Sequence, residues 1–335
     1  MKLKRFVFYF SCFLLILIVW CVASSHKRRN RPTNYTINET PTKHITIDGI
    51  FPLPTHRVYP NVKSEDSVIP MRFFKNNFGK SVHNYKWLHN PHTRCVANTT
   101  SPDIFLLVAV ASASWEFERR DLIRKTWATV NQVSGKNIVY VFFVGNDRRN
   151  NKLEMEFNEH HDVVMEDFNE TYKNLTLKTQ GQLKWITYFC PNIKYAIHVD
   201  DDVFVDIKQV VNMLVEQTDD NRKLFCAKLF QPKVRREGKW EMSRRDYPGG
   251  GYPLSCVGWC YVMSLDVVVD LYYTSINSHL IHLEDVTFTG ILREKIGNLG
   301  PIQIPGGSKV CQHKGWPKDK PTNVKLMEAW EKLNS

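Results

Sequence analysis

The chain has 335 residues, 43% of them apolar and 12% aromatic, which is ample for one core and too little for two full domains once leading and linker segments are subtracted. A formal net charge of +11 brings nucleotides, acidic glycans and lipid head groups into consideration as partners. The basic pairs Arg148–Arg149, Arg235–Arg236 and Arg244–Arg245 are scattered among acids, so a solvated basic surface accounts for them and no nucleic acid is expected as partner.

Residues 1–5 form a short basic tail before Phe6 to Ala23, an uncharged run dominated by Phe, Leu, Ile and Val. Eighteen helical residues at ~1.5 Å each reach roughly 27 Å, enough for a thin bilayer of the secretory pathway. A cleaved signal peptide is the rival, with Cys21-Val22-Ala23 as a small-residue cleavage site. The run is longer than the ~7–15 residues of a signal's apolar region, so an uncleaved single-pass anchor over 6–23 is expected. Positive charges nearly tie across it: Lys2, Lys4 and Arg5 before, Lys27, Arg28, Arg29 and Arg31 after. Sequons decide the orientation. Asn34, Asn38, Asn98, Asn169 and Asn174 all follow the span, which predicts a luminal body and names five candidate glycosylation sites.

Six cysteines follow the span: Cys95, Cys190, Cys226, Cys256, Cys260 and Cys311. An even number suits disulfides in an oxidising compartment, with 15 pairings open. Cys256 and Cys260 are poor partners if they share a strand, because four extended residues span roughly 13 Å. A zinc site competes, but paired C-x-x-C spacing is missing.

Residues 24–92 are rich in Pro, Asn, Thr and basic side chains and read as a stem. The aromatics Phe73, Phe74, Phe78, Tyr85 and Trp87 blur its junction with the body, which is placed at 93–335. In the body, Asp103 to Val110 is an apolar run of buried-strand type, and Arg119 to Val130 has helical spacing. Asn137 to Val144 predicts a second strand, Leu177 to Phe189 a helix, Lys194 to Val199 a third strand, and Ile207 to Val215 another helix. The alternation predicts an α/β domain with a mainly parallel sheet, whose ligands bind beyond the carboxyl ends of the strands.

The third strand runs straight into Asp200-Asp201-Asp202, followed at once by Val203-Phe204-Val205. Three carboxylates between apolar segments repel one another, and a divalent cation relieves the repulsion. Oxygen ligation suits Mg²⁺ or Mn²⁺ with positions left for phosphates, whereas a solvated acidic turn is the plainer alternative. If the strand continues, Asp200 and Asp202 point to one side and Asp201 is left for another role.

Six ordered blocks then carry a family resemblance. They are Arg119 to Trp127 (R-R-x-x-I-R-x-T-W), Val141 to Gly145, Glu166 to Thr179, the acidic turn (D-D-D-x-F-V), Tyr252 to Tyr261 (Y-P-x-x-C-x-G-x-x-Y) and Leu283 to Gly290 (E-D-V-x-x-x-G, one residue longer than the family's E-D-V-x-x-G). Over roughly residues 95 to 315 the chain resembles the β1,3-galactosyltransferases and β1,3-N-acetylglucosaminyltransferases of glycosyltransferase family 31. His198 stands where many members carry Lys, and Trp259-Cys260 is unusual in its block.

The resemblance implies a GT-A fold on a type II Golgi membrane anchor, a UDP-sugar donor and an inverting transfer to the 3-hydroxyl of a glycan acceptor on glycoprotein or glycolipid. UDP-galactose is the expected donor and UDP-GlcNAc the alternative. A homodimer is the further association open to it. Asp202, with Asp200 beside it and His313 completing the site, would hold Mn²⁺, while Asp201 would contact the nucleoside. Asp285 is the expected base, with a helix N-cap as its bland reading. Of Arg120 and Arg124, one is expected to face the nucleotide, and Lys178 to contact phosphate. Glu284 and Trp259 are assigned to the acceptor, and Gly249-Gly250-Gly251 to a flexible turn over it. The competing functions are a non-catalytic luminal sugar- or metal-binding protein and a metal-dependent hydrolase, the latter disfavoured because it wants a second metal cluster.

Overall fold

The computed structural model describes residues 83–95, 104–147, 152–219, 221–315 and 319–335. The expected tail, the span at 6–23, most of the stem and the sequons at Asn34, Asn38 and Asn98 lie outside them. Among the described residues no helix is long and apolar enough to cross a membrane.

In chain order, β1 (Trp87–His89) and β2 (Ile104–Ala111) precede α1 (Phe117–Lys125), then β3 (Gln132–Val133) and β4 (Lys136–Asn146) precede α2 (Lys152–His160). Next come β5 (Val163–Asn169), α3 (Leu175–Phe189), β6 (Tyr195–Asp200), β7 (Val203–Val205) and α4 (Ile207–Val215). They are followed by β8 (Leu224–Cys226), β9 (Leu229–Phe230), β10 (Ser255–Cys256), β11 (Cys260–Ser264) and α5 (Leu265–Ile276). A π-helical segment (Val286–Leu292) leads into α6 (Arg293–Ile296), β12 (Ile302–Gln303), α7 (Gly307–Val310), β13 (Cys311–His313) and α8 (Thr322–Asn334).

The main sheet has the order β1-β5-β4-β2-β6-β11-β8-β12. Its centre is parallel, with Val108 of β2 opposite Tyr140 of β4 and Ile197 of β6. Period-two alternation explains why these strands read as unbroken apolar runs. Leu106, Val108 and Val110 enter one core with Ile123, Leu153 and Val211, while Leu107 and Ala109 enter the other with Leu183, Trp185 and Val268. Both faces are thus covered by helices, as in a three-layer α/β domain. Beyond β6 the sheet turns antiparallel through β11 and β8.

Three boundaries differ from expectation. The helix read over Arg119 to Val130 ends at Lys125, where the Thr126 hydroxyl donates to the Leu122 carbonyl at 2.7 Å and a tighter turn, Trp127–Thr129, follows. The helix read from Leu177 begins two residues earlier. The junction between stem and body moves too. Trp87–His89 pairs antiparallel with β5, Trp185 Nε1 donates to Asn90 Oδ1 at 2.7 Å, and buried His83 sits 2.7 Å from Glu166 Oε2. The folded body therefore starts before residue 93, because Trp87 meets the Phe189 ring edge-on and completes an aromatic patch.

The cysteines pair as Cys95–Cys190, Cys226–Cys256 and Cys260–Cys311. Cys256 and Cys260 are not partners, but they lie on different strands and each bridges elsewhere, so a shared strand is not the reason. Cys260 opens β11 and faces Val199 across the sheet, and its bridge ties β13 to β11 beside the end of β6. Replacing both Cys260 and Cys311 with Ser, which opens a loop closed over a separation of 51 residues, is expected to cost about 4 kcal/mol. Urea unfolding of the two proteins checks it, and an unchanged midpoint would sink the expectation.

Candidate active site

The acidic turn sits at the carboxyl end of β6. The strand does not continue through it. Asp201 and Asp202 form a turn, β7 resumes at Val203, and the three carboxylates diverge.

Asp201 is buried and both its oxygens are engaged: Ser112 Oγ donates at 2.7 Å and Arg119 NH1 at 3.0 Å. It acts as a strut that aims Arg119, whose guanidinium is further stabilised by Glu116 and Asp202. Asp202 turns the other way. Its Oδ2 lies 3.3 Å from His313 Nε2, and its Oδ1 is buried without a hydrogen-bond partner. The meeting is made by register. β13 pairs antiparallel with β7, setting His313 opposite Val203, and the Lys314 N–H donates to the Asp202 carbonyl at 2.8 Å. Gly315 permits the close approach, because a methyl group there would overlap Asp202 Oδ2. Trp259 stacks on the His313 ring at 5.3 Å and 29°. The half-buried indole thus supports the imidazole from one side.

Asp200 keeps a partly open side chain, 38% exposed, yet desolvation raises its carboxyl well above the ordinary value, and the charges of Asp202 and Asp201 add to this. Such a carboxylate gains by meeting a cation. Oxygen and imidazole donors, together with the orphaned Asp202 oxygen, fit a divalent ion. Among the described residues no three His, Cys, Asp or Glu side chains converge as a ligand group; the contact the fold makes at this turn is the Asp202–His313 pair.

The second acidic pair stands at the start of the π-helical segment. Asp285 Oδ1 accepts the Val286 N–H at 2.8 Å, so the cap expected for a helix start is present. Burial raises the Asp285 carboxyl, and backbone N–H groups of Val286 and Gly258 hold it partly back. Glu284 is buried against Tyr261 and Thr179, whose hydroxyls donate to its Oε2 at 3.2 and 3.3 Å. Its carboxyl is raised well above the ordinary range by burial first, then by Asp285 and Asp200. Gly258 lets the chain pass these acids, since a Cβ there would sit 2.7 Å from Glu284 Oε1. His198, buried and stacked on Tyr261 at 4.6 Å, has its Nδ1 2.7 Å from Gln182 Oε1. Burial, then Lys178, lowers it to about 3, so this imidazole is neutral where a lysine would be charged.

Other expected donor contacts are placed elsewhere. Arg120 is wholly buried, with Glu156 accepting from it at 2.8 and 2.6 Å and the carbonyls of Ala113 and Ser114 completing its shell. Arg124 is paired with Glu156 and Asp162 at 2.8 and 2.7 Å. Both are spent inside the body, because a buried guanidinium needs every donor matched. The arginine facing the acidic turn is their neighbour Arg119, which the four-residue spacing of Arg120 and Arg124 passes over. Lys178 is buried, donating to the Ser112 carbonyl at 2.5 Å and Glu170 at 2.8 Å, so it braces the end of β2 instead of waiting for phosphate. The Gly249–Gly251 run is pinned: Arg236 donates to Gly249 O at 2.7 Å, the Val234 N–H donates to Gly250 O at 3.1 Å, and the Tyr247 hydroxyl donates to Gly251 O at 3.0 Å. Of the two described sequons, Asn169 is exposed, while Asn174 donates to the Asn169 carbonyl at 2.8 Å and its sequon Thr176 is buried on the Ile281 carbonyl.

A family model described as galactosyltransferase matches residues 118–298. Beta-1,3-galactosyltransferase 1 of Homo sapiens is 30% identical over 303 residues, covering 88% of this chain and 86% of its own. Beta-1,3-galactosyltransferase 5 of Mus musculus is 32% identical over 224 residues, 62% of this chain and 71% of its own. Among solved structures, the catalytic domain of Drosophila beta1,4galactosyltransferase 7 matches 68% of this chain and 81% of its own at 10% identity, with a TM-score of 0.32, too distant to carry weight.

Proposed function

We propose that this chain, which belongs to the galactosyltransferase family, is a hexosyltransferase that moves galactose from UDP-galactose to the 3-hydroxyl of an acceptor sugar with inversion, in a GT-A-type body. One observation carries the site assignment: Asp202 and His313, far apart in sequence, meet at 3.3 Å with an unsatisfied carboxylate oxygen, and Asp200 couples this pair electrostatically to Asp285. The relatives' names speak for galactose as the sugar moved, and UDP-N-acetylglucosamine has no comparable support.

Asp202 and His313, with Asp200, would hold a divalent cation such as Mn²⁺, which when bound neutralises charge growing on the leaving diphosphate. Arg119, held by Asp201, supplies fixed positive charge at the same turn. Asp285 takes the proton of the acceptor 3-hydroxyl while that oxygen bonds to the anomeric carbon and the bond to UDP breaks, the electron pair leaving with UDP. Glu284, fixed by Tyr261 and Thr179, orients the acceptor beside it. The sequons and the apolar run at 6–23 support a type II Golgi anchor with the body in the lumen and Asn169 as its accessible glycosylation site.

The test is UDP release from UDP-galactose and UDP-N-acetylglucosamine, with Mn²⁺, over β-galactosyl, β-N-acetylglucosaminyl and N-acetylgalactosaminyl acceptors. Acceptor-dependent release with UDP-galactose is the expected result, and absence of UDP binding would overturn the reading. A Gly315→Ala chain is expected to need at least about tenfold more Mn²⁺ for half-maximal rate, because the new methyl displaces Asp202 Oδ2 from His313. An unchanged metal requirement would remove Asp202 and His313 from the metal site.

A further inference from the structure

The segment between β9 and β10 carries six basic residues (Lys233, Arg235, Arg236, Lys239, Arg244 and Arg245) against three acidic ones. Arg236 is used internally, donating to the carbonyls of Met242, Tyr247 and Gly249 and so stiffening the loop. On this scaffold Trp240 is 42% exposed, and its Nε1 donates to the hydroxyl of Tyr172, itself 46% exposed, at 3.1 Å. Lys239 Nζ stands 4.4 Å from the Tyr172 ring centre, and the Arg235 guanidinium 4.8 Å from that of Trp240. Both cations are exposed, and among the described residues neither forms an ion pair with a carboxylate.

This aromatic and cationic lip belongs to the same neighbourhood as the acids. Met242 and Tyr247 of the loop pack in one small core with Ile281, Val286 and Ile291, the residues flanking and following Glu284–Asp285. Partial burial raises the Tyr172 phenol, the Trp240 hydrogen bond opposes this, and the charges of Asp285, Asp200 and Glu284 raise it further, which sets the ring within electrostatic reach of them. A sugar reaching Asp285 past Tyr172 would lay its next residue along Trp240. There it meets an aromatic face suited to a pyranose and two cations with no anionic partner.

We propose that Lys239 and Arg235, seated on the Tyr172–Trp240 lip, make the acceptor site select a glycan bearing an anionic group, a carboxylate or a sulfate ester. The proposal rests on the reading of the chain as a galactosyltransferase and adds a substrate class to it. Charge near the acceptor also offsets the self-repulsion that an anionic glycan meets at an acidic centre.

The experiment uses the full chain in detergent with UDP-galactose and Mn²⁺. Three forms of one β-linked disaccharide acceptor are compared: neutral, sulfated, and with a uronic acid as its second sugar. At low salt kcat/KM is expected to be at least about tenfold higher for one or both anionic forms, and the advantage to shrink at high ionic strength, where screening lengths fall to a few ångströms. In an Arg235→Gln/Lys239→Gln chain the ratio of anionic to neutral kcat/KM is expected to fall towards one, with an unchanged thermal midpoint as the folding control. Comparing the sulfated and uronic forms tells which anion is read. Equal use of all three acceptors, or a preference that survives the double substitution, overturns the proposal while leaving galactose transfer standing. Failure to consume UDP-galactose with any acceptor overturns both.

Discussion

An Asp285→Asn chain is expected to bind UDP and UDP-galactose as before and to lose about 10²–10⁴-fold in kcat, the range ascribed to a positioned general base. Asn keeps the shape of Asp, and its carbonyl oxygen can still accept the Val286 N–H that caps the π-helical segment. What it cannot do is take a proton. The pH profile supplies a second reading of the same group. Burial raises the Asp285 carboxyl, so the base ionises only above the ordinary aspartate pKa of about 3.9, and the acidic limb of kcat/KM is expected above that value. The stability sign follows from the same shift. Between its unfolded and its raised folded pKa the native state binds the extra proton, so this carboxylate lowers stability as pH climbs through that window. Asp285→Asn is therefore expected to melt at neutral pH no lower than the parent chain. Single-turnover transfer, UDP titration and a thermal scan test the three statements, and full turnover by the Asn variant would remove Asp285 from the base role.

Asp202→Ala is expected to abolish the Mn²⁺ dependence of UDP-galactose binding, a loss above about 100-fold, larger than the 10–100-fold typical of changes outside the ligand shell. The substitution deletes both the Oδ2 that meets His313 and the Oδ1 left without a partner. It also removes one of the charges that raise Asp200. Relief of that repulsion means the fold itself loses little, which separates a binding defect from unfolding. Calorimetric titration of UDP with and without Mn²⁺ decides it: a metal dependence equal to the parent's excludes Asp202 as a ligand.

Much of the architecture was legible in the residues. The runs read over Asp103 to Val110, Asn137 to Val144 and Lys194 to Val199 are strands, spanning Ile104–Ala111, Lys136–Asn146 and Tyr195–Asp200, and Ile207–Val215 is the helix its spacing described. Short-range chemistry decides such elements, because burial on both faces favours apolar side chains at nearly every position of a central strand. The acidic turn was visible for the same reason, as three adjacent carboxylates between apolar segments need an explanation wherever they fold.

Which side chains point into the site was a different matter. Helical spacing singled out Arg120 and Arg124, yet their guanidinium groups are consumed by Glu156 and Asp162, some thirty residues further on, and Arg119 faces the turn. Asp201 and Lys178 look like ligand contacts in sequence and are struts in space. His313 carried no local signal at all, because its position comes from the register of β13 on β7 and the Cys260–Cys311 bridge. Sequence by itself determined the family, the α/β alternation and where the acidic turn falls, since these depend on residue type and local pattern. Only the tertiary structure decided which charges are free and which are spent, because a buried cation is neutralised by whichever carboxylate the fold brings to it.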